Sequence, residues 1–108
     1  MKVSKELIKG SSSLLILSVL KGKDLYGYKI IKELELRSEN AFEFKEGTLY
    51  PILHALEKES YLESYWDEVD GRKRKYYHLT RKGLKQLSSK KEEWQYYSSS
   101  VDKVLNFA

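Results

Sequence analysis

Residues 46–59 read EGTLYPILHALEKE, and this stretch decides how the rest of the chain can be arranged. Its larger apolar residues recur at the i, i+3, i+4 and i+7 positions of a helix, namely Leu49, Ile52, Leu53 and Leu56. The opposite face carries small, flat or hydrogen-bonding residues and one cation, namely Gly47, Tyr50, Pro51, His54, Ala55 and Lys58. A helix that is anchored on one side and nearly free of carboxylates on the other can enter a groove of DNA. The alternative is a surface helix whose polar face binds nothing.

At 108 residues the chain is long enough for one domain with a single modest core. It contains no cysteine, so the sequence offers neither disulfide bonds nor thiolate metal ligands. No metal-ligand spacing, glycine-rich phosphate loop or catalytic motif is present, and we expect no metal, no cofactor and no enzymatic activity. The longest apolar run, at residues 14–20, is too short to cross a bilayer. We therefore expect a cytoplasmic protein without a membrane partner.

Positive charge is concentrated in one part of the chain. Residues 69–91 contain nine Lys or Arg against one Asp or Glu, whereas residues 46–68 contain one against six. Such a concentration of cations is typical of proteins that contact a polyanion. A basic face that is simply solvated is the alternative.

Several start signals divide the chain into further elements. Asp24 is expected to act as the N-cap of a second helix, and Thr80 as the N-cap of the last one. Phe42 and Phe44 alternate with polar neighbours, which is the pattern of a short strand. Together with the central stretch, these signals predict two helices joined by a short turn, the arrangement of a helix-turn-helix.

Residues 61–79 have the pattern of a β-hairpin. Two strands flank Asp70-Gly71, the strongest hairpin signal in the chain. The turn is followed by four consecutive cations, namely Arg72, Lys73, Arg74 and Lys75. Because like charges on a two-stranded ribbon repel one another, we interpret them as contacts to the DNA backbone or minor groove. A solvated hairpin tip is the alternative.

These elements predict a mainly α protein with a small β-hairpin (α+β), a winged helix-turn-helix. Residues 1–80 would form the DNA-binding domain, with a recognition helix at about 46–59 and a wing at about 61–79. Residues 81–108 would form a dimerisation helix packed with the N-terminal helix of the partner subunit. The residues expected to contact DNA are Tyr28, Thr48, Tyr50, Pro51, His54, Lys58, Arg72, Lys73, Arg74 and Lys75.

The last predicted helix is longer than the core that precedes it, and its apolar residues recur at a spacing of roughly 3.5. We expect a second subunit to cover them, through Leu87, Trp94, Tyr97, Val101 and Leu105. Trp94 would then face its symmetry mate, and two indoles can hold a flat aromatic ligand between them. Trp94 and Tyr97 are therefore candidate ligand contacts, with simple packing of Trp94 as the alternative.

The central stretch and the hairpin resemble the PadR-like family of transcriptional regulators. The resemblance rests on EGTLYP at residues 46–51 and on RKRKYYHLT at residues 72–80. It implies a dimeric winged-helix repressor that binds a palindromic operator in double-stranded DNA. Some family members release DNA when a phenolic acid or a planar drug binds at the dimer interface, near a tryptophan similar to Trp94. Ser60 departs from the family, which usually has glycine there, so a left-handed helix cap at Ser60 would be strained.

We therefore expect a sequence-specific DNA-binding regulator that represses its own operon, with release by a small aromatic effector as an added feature. Two other functions stay open. One is a multidrug or phenolic-compound sensor whose main event is ligand binding at the Trp94 interface. The other is a winged-helix module that binds proteins and never binds DNA.

Overall fold

The computed structural model describes residues 1–107, which form four helices and a three-stranded sheet. In chain order these are α1 (Lys5–Val19), β1 (Leu25–Tyr26), α2 (Gly27–Arg37), α3 (Glu46–Lys58), β2 (Leu62–Val69), β3 (Arg72–Leu79) and α4 (Arg81–Leu105). The sheet is antiparallel with the strand order β1-β3-β2. The predicted α+β winged helix-turn-helix is thereby confirmed, while Ala108 of the predicted terminal segment lies outside the described residues. Within the described residues, every helix is either too short or too polar to cross a membrane.

The core lies where the first three helices, one face of the sheet and the start of α4 meet. Its fully buried side chains are Ile16, Leu17, Leu20, Ile30, Leu49, Leu53, Leu62, Tyr77 and Leu87. Because side chains alternate between the two faces of a strand, Leu62 and Tyr77 point into this core while His78 points to solvent. The hydrophobic stripe of α3 is thus one wall of a core to which nearly every element contributes.

Two predictions about the region before α3 are wrong. Asp24 does not cap α2, which begins at Gly27 with Tyr26 as its N-cap. Pairing of β1 with β3 holds residues 25–26 extended, and the Asp24 carboxylate binds side chains of the wing instead. Residues 41–45 form no strand. Phe42 and Phe44 instead pack against the core from an irregular connection, which explains their alternation with polar neighbours.

The hairpin turn has the geometry that its sequence favours. Asp70 and Gly71 have positive φ angles of 53° and 76°, as a two-residue type I′ turn requires. Strands β2 and β3 pair without a break from Leu62–Leu79 to Val69–Arg72. Since β1 pairs only with Tyr76 and Tyr77, the part of the hairpin beyond them has no third strand. We call these residues, 66–75, the wing arm.

The junctions on either side of the hairpin also follow their sequence signals. Thr80 caps α4, because its Oγ1 atom accepts a hydrogen bond of 2.9 Å from the N–H of Gly83. Gly83 packs so closely against the carbonyl of Tyr61 that no β-carbon would fit. After α3, Ser60 has a φ of 64° while the N–H of Tyr61 donates to the carbonyl of Leu56 at 3.0 Å. The left-handed helix cap expected at Ser60 is therefore confirmed.

Helix α4 extends well past the core. Its 25 residues correspond to about 37 Å at a rise of 1.5 Å per residue. The radius of gyration of the Cα atoms is 15.0 Å, whereas a compact domain of this length would have about 13 Å. The second half of α4 consequently has little of its own chain to pack against.

Candidate nucleic-acid interface

Helix α3 is attached to the core by one face and leaves the other free. Leu49, Leu53 and Leu56 are buried. The predicted groove-contacting residues Thr48, Pro51, His54 and Lys58 are all exposed. Since residues three or four apart lie on the same side of a helix, these four form one continuous outward surface. The structure thus brings together most of the predicted recognition residues.

Tyr50 differs from the other predicted recognition residues because it is half-buried. Its ring packs against the backbone of Gly27 at the start of α2 and against the edge of the core. The ring of His54 lies one turn further, with a centroid separation of 6.4 Å. Tyr50 therefore holds α3 against α2, a packing role that its sequence position did not indicate.

The carboxylate of Glu57 is turned away from the outward surface of α3. It accepts a hydrogen bond of 2.5 Å from the hydroxyl of Ser64 on β2. The neighbouring Tyr77 is only 1% exposed, and burial, together with the negative charge of Glu57, raises the pKa of its phenol. Negative charge is thereby withdrawn from the surface that would meet DNA.

The four cations after the turn are divided between the two faces of the wing arm. Strand alternation places Lys73 and Lys75 on the same face as Tyr77, toward α3, and Arg72 and Arg74 on the other face. Together with side chains of α3, Lys73 and Lys75 line a cleft of about 330 Å³ between the helix and the hairpin, and Arg74 reaches its edge from the other face, whereas Arg72 does not line it. The guanidinium of Arg74 lies 4.3 Å from the ring centroid of Tyr26. Only part of the cationic cluster therefore faces the recognition helix.

The strand register also gives these cations a role in folding that their clustering in the sequence does not indicate. Asp67 lies opposite Arg74, and Glu68 lies opposite Lys73. Opposite charges facing each other across a strand pair contribute about 0.2–1 kcal/mol. Within residues 1–107, however, no carboxylate oxygen lies within 4.0 Å of a charged nitrogen of the cluster. The acids of β2 thus lie where they can offset part of the repulsion, although none of them forms an ion pair with the cluster.

One residue of this surface was missing from the sequence predictions. Trp66 on β2 is 67% exposed, pairs with Lys75 across the strands and lines the cleft beside His54. Its indole therefore adds an aromatic surface to the cleft that Lys73 and Lys75 line. The alternation Leu62, Ser64, Trp66 on one strand face carried this signal, but it was visible only once the register was known.

Tyr28 occupies the first turn of α2, and its side chain is 52% exposed. Its ring stacks on that of Tyr26 at a centroid distance of 6.4 Å, and Lys32 lies 5.4 Å from its centroid. The N-terminus of a helix attracts anions. The phenol therefore lies exposed at the positive end of the helix dipole.

The predicted ligand contacts Trp94 and Tyr97 lie on α4, far along the chain from the wing. They are 45% and 59% exposed, and their ring centroids are 5.8 Å apart. Both line a groove of about 610 Å³ between α1 and α4, to which Leu7 and Leu14 contribute apolar surface. Small residues of α1, among them Gly10, keep the groove open.

The predicted interface residues of α4 are not equivalent. Val101 and Leu105 line an apolar surface groove of about 260 Å³ near the end of the helix. Leu87 departs from the prediction, because it is 1% exposed in the single chain and belongs to the core. The first turns of α4 still pack against the body of the protein, so Leu87 has no surface left for a partner.

Comparisons with known proteins agree with this architecture. The sequence model of the transcriptional regulator PadR-like family matches residues 16–89. A protein from Lysinibacillus sphaericus is 40% identical over 101 residues, which is 93% of each chain. A transcriptional regulator from Clostridium thermocellum superimposes with a TM-score of 0.85 at 35% identity, over 92% of this chain and 97% of that one. A PadR family transcriptional regulator from Eggerthella lenta DSM 2243 gives a TM-score of 0.82 at 33% identity, over 95% and 88% of the two chains. This chain therefore belongs to the PadR-like family, whose members are transcriptional regulators rather than enzymes.

Proposed function

We propose that the protein is a dimeric, sequence-specific DNA-binding repressor of its own operon. The observation that carries this proposal is the outward surface of α3, with Thr48, Pro51, His54 and Lys58 exposed beside the cationic wing arm. In each protomer α3 would enter the major groove, while the wing would rest on the flanking backbone. Two symmetry-related copies of α3 would then read half-sites about 34 Å apart, one turn of a palindromic operator.

The exposed apolar side of α4 supports the dimer. Trp94, Tyr97 and Leu105 are each 45% exposed or more, and Leu7 on α1 is exposed beside Trp94 and Tyr97. Apolar surface of this extent is normally covered by a partner. A two-fold axis would pack α4 against α1 and α4 of the second subunit and cover all of these residues at once.

DNA binding can be tested by fluorescence anisotropy with a duplex from the protein's own promoter. Binding should weaken steeply as salt is raised, since phosphate contacts release counterions. His54→Ala should reduce the preference for the promoter duplex over a scrambled one. Lys103→Ala removes an exposed cation at the end of α4 and should change neither affinity nor preference. A folded dimer that fails to bind DNA at low salt would overturn the proposal in favour of a protein-interaction module.

A second candidate function is effector binding in the groove beside Trp94, and the size and aromatic lining of that groove favour it. A planar aromatic compound stacked on Trp94 should quench its fluorescence. Because Trp66 also emits, the titration is best done in a Trp66→Phe variant, which keeps Trp94 as the single indole. Quenching that persists in the Trp66→Phe variant, together with release of DNA by the wild-type dimer when the compound is added, would support an effector-released repressor. If the emission of Trp94 does not change, the result would favour a repressor that acts without an effector.

A further inference from the structure

Asp24 lies in the connection between α1 and β1, yet its carboxylate contacts both long strands of the wing. Its Oδ2 atom accepts a hydrogen bond of 2.6 Å from the hydroxyl of Tyr65 on β2. Its Oδ1 atom lies 2.8 Å from Nδ1 of His78 on β3. A single side chain therefore bridges the two strands from outside the hairpin.

This bridge is located at the root of the wing arm. Tyr65 pairs with Tyr76 of β3, and Tyr76 pairs with Tyr26 of β1. Of the β3 residues that pair with β1, Tyr76 is the one nearer to the hairpin tip. Asp24 thus holds the hairpin at the point where it leaves the three-stranded sheet. The stacking of Arg74 on Tyr26 is a further contact just beyond this point.

The angle at which the hairpin leaves the three-stranded sheet determines the position of the cations near its tip. Asp70 in the turn lies five positions after Tyr65, which corresponds to about 17 Å at 3.3 Å per residue. A swing of about 10° at the root would move the tip by about 3 Å, the length of a whole hydrogen bond. A small change in the angle of the hairpin is thus enough to remove Arg72 and Lys73 from a phosphate.

We propose that Asp24 is a positioning residue for the wing, and that its bridge to Tyr65 and His78 sets the angle at which the wing cations meet the DNA backbone. The role in DNA binding rests on the proposed function. Asp24 precedes Gly27 by three residues, and Gly27 packs against Tyr50 of the recognition helix. The segment from Asp24 to Gly27 therefore contacts both the wing and the recognition helix, and it sets the position of one relative to the other.

The ionisation of the two bonded groups is consistent with a tight bridge. Burial opposes the charge on Asp24, but the hydrogen bonds from Tyr65 and His78 outweigh it and hold its pKa below the ordinary 3.8. The hydrogen bond to Asp24 raises the pKa of Tyr65 to about 12. Glu63, opposite His78, and Asp67, near Tyr65, are the other acids on this face of the sheet.

The first test is amide hydrogen exchange in the free dimer, which needs no DNA. Asp24→Ala should raise exchange in the wing arm by about tenfold, the loss expected for a hydrogen bond, and leave α1 and α3 unchanged. Tyr65→Phe removes one of the two bonds and should give a smaller increase. Glu63→Ala removes an exposed acid opposite His78 that is not part of the bridge, and should have no effect. Unchanged exchange of the wing arm in a folded Asp24→Ala protein would overturn the proposal.

The second test separates positioning from a general loss of stability. Asp24→Ala should lower the slope of log Kd against log salt by about one to two, because contacts between the wing and phosphate groups are lost. The Arg72→Gln/Lys73→Gln double variant should lose a similar amount. Adding Asp24→Ala to that double variant should change the slope no further, because the same contacts are already absent. Additive losses would show that Asp24 acts elsewhere and would overturn its positioning role.

A conservative variant provides a rescue. The side-chain amide in Asp24→Asn can accept from the Tyr65 hydroxyl and donate to the ring nitrogen of His78. Asp24→Asn should therefore restore both the exchange protection and the salt slope. Failure of the wild-type dimer to bind DNA would overturn the proposed function and, with it, the role of Asp24 in binding. The exchange result would still show whether the bridge holds the wing.

Discussion

The ring of Tyr50 on α3 packs against the bare backbone of Gly27 on α2, and a β-carbon at Gly27 would overlap the Tyr50 hydroxyl. This contact sets the distance between the two helices of the helix-turn-helix. A side chain at position 27 would force the Tyr50 ring to move, and this close approach, rather than the backbone angles of Gly27, is what favours glycine there.

Replacing Gly27 by alanine should therefore disturb the recognition helix. We expect Gly27→Ala to destabilise the fold by about 1–3 kcal/mol, the usual cost of overpacking, and to weaken DNA binding. In a Tyr50→Ala background the same change should cost almost nothing, since the overlapping ring is gone. Thermal denaturation of the four proteins of this cycle provides the measurement. Gly10→Ala on α1, where a β-carbon meets nothing within 4 Å, serves as control and should stabilise by about 0.5–1 kcal/mol.

Ser60 is a site where a substitution should increase stability. Its φ of 64° costs a residue with a β-carbon about 1–2 kcal/mol. Ser60→Gly should therefore stabilise by about 1 kcal/mol and raise Tm by about 4–8 °C. Asn106→Gly, at the left-handed cap of α4, should have a smaller effect because asparagine tolerates this conformation. A Tm of Ser60→Gly at or below that of the wild type would contradict the expectation.

The wing cations and the recognition helix should contribute differently to DNA binding. Arg72→Gln and Lys73→Gln should each lower the slope of log Kd against log salt by about 0.9, with similar losses on all DNA sequences. His54→Ala should instead change the ranking of operator variants. Anisotropy titrations from about 50 to 200 mM salt would measure both effects. A wing substitution that altered sequence preference without changing the slope would show that the wing reads bases.

Leu87 and Val101 lie on the same helix and should respond in opposite ways. Leu87→Ala leaves a cavity in the core and should destabilise the protein by about 2–5 kcal/mol. Val101→Asp places a charge on the apolar surface near the end of α4 and should dissociate the dimer while the domain stays folded. Sedimentation at a fixed protein concentration and circular dichroism distinguish the two outcomes. Ser99→Asp, at an exposed position, is the matched control, and a Val101→Asp dimer as tight as wild type would place the interface elsewhere.

The Asp24–Tyr65 hydrogen bond should stabilise the folded protein only over a limited range of pH. Tyr65 must keep its proton to donate, and its pKa is raised from 10.0 to about 12. Its contribution is therefore fully present below pH 10.0 and is lost as the pH rises through about 12. The pKa of Asp24 is lowered from 3.8, so its contribution is present above pH 3.8 and is lost as the pH falls through its lower folded value. Carbon-13 NMR of the tyrosine ring carbons would follow Tyr65, whose pKa should drop toward 10.0 in Asp24→Ala; an unaltered pKa would contradict the bond.

Interactions between near neighbours in the chain could be predicted from the sequence. The apolar stripe of α3, the Asp70-Gly71 turn, the Thr80 cap and the strained Ser60 all depend on residues within a few positions of one another. Each of them was present in the structure as expected. The alternation of Phe42 and Phe44 misled for the same reason, since a short local pattern cannot distinguish a strand from a loop whose rings reach the core.

The sequence by itself thus determined the helices, the hairpin and the family, because periodicity, turn chemistry and capping act locally. Only the tertiary structure decided which partner each side chain has. Asp24 binds residues 41 and 54 positions away instead of capping its own helix, and Leu87 closes the core instead of facing a partner. Burial and hydrogen-bond partners depend on elements that meet only after the chain has folded, and no local pattern in the sequence records them.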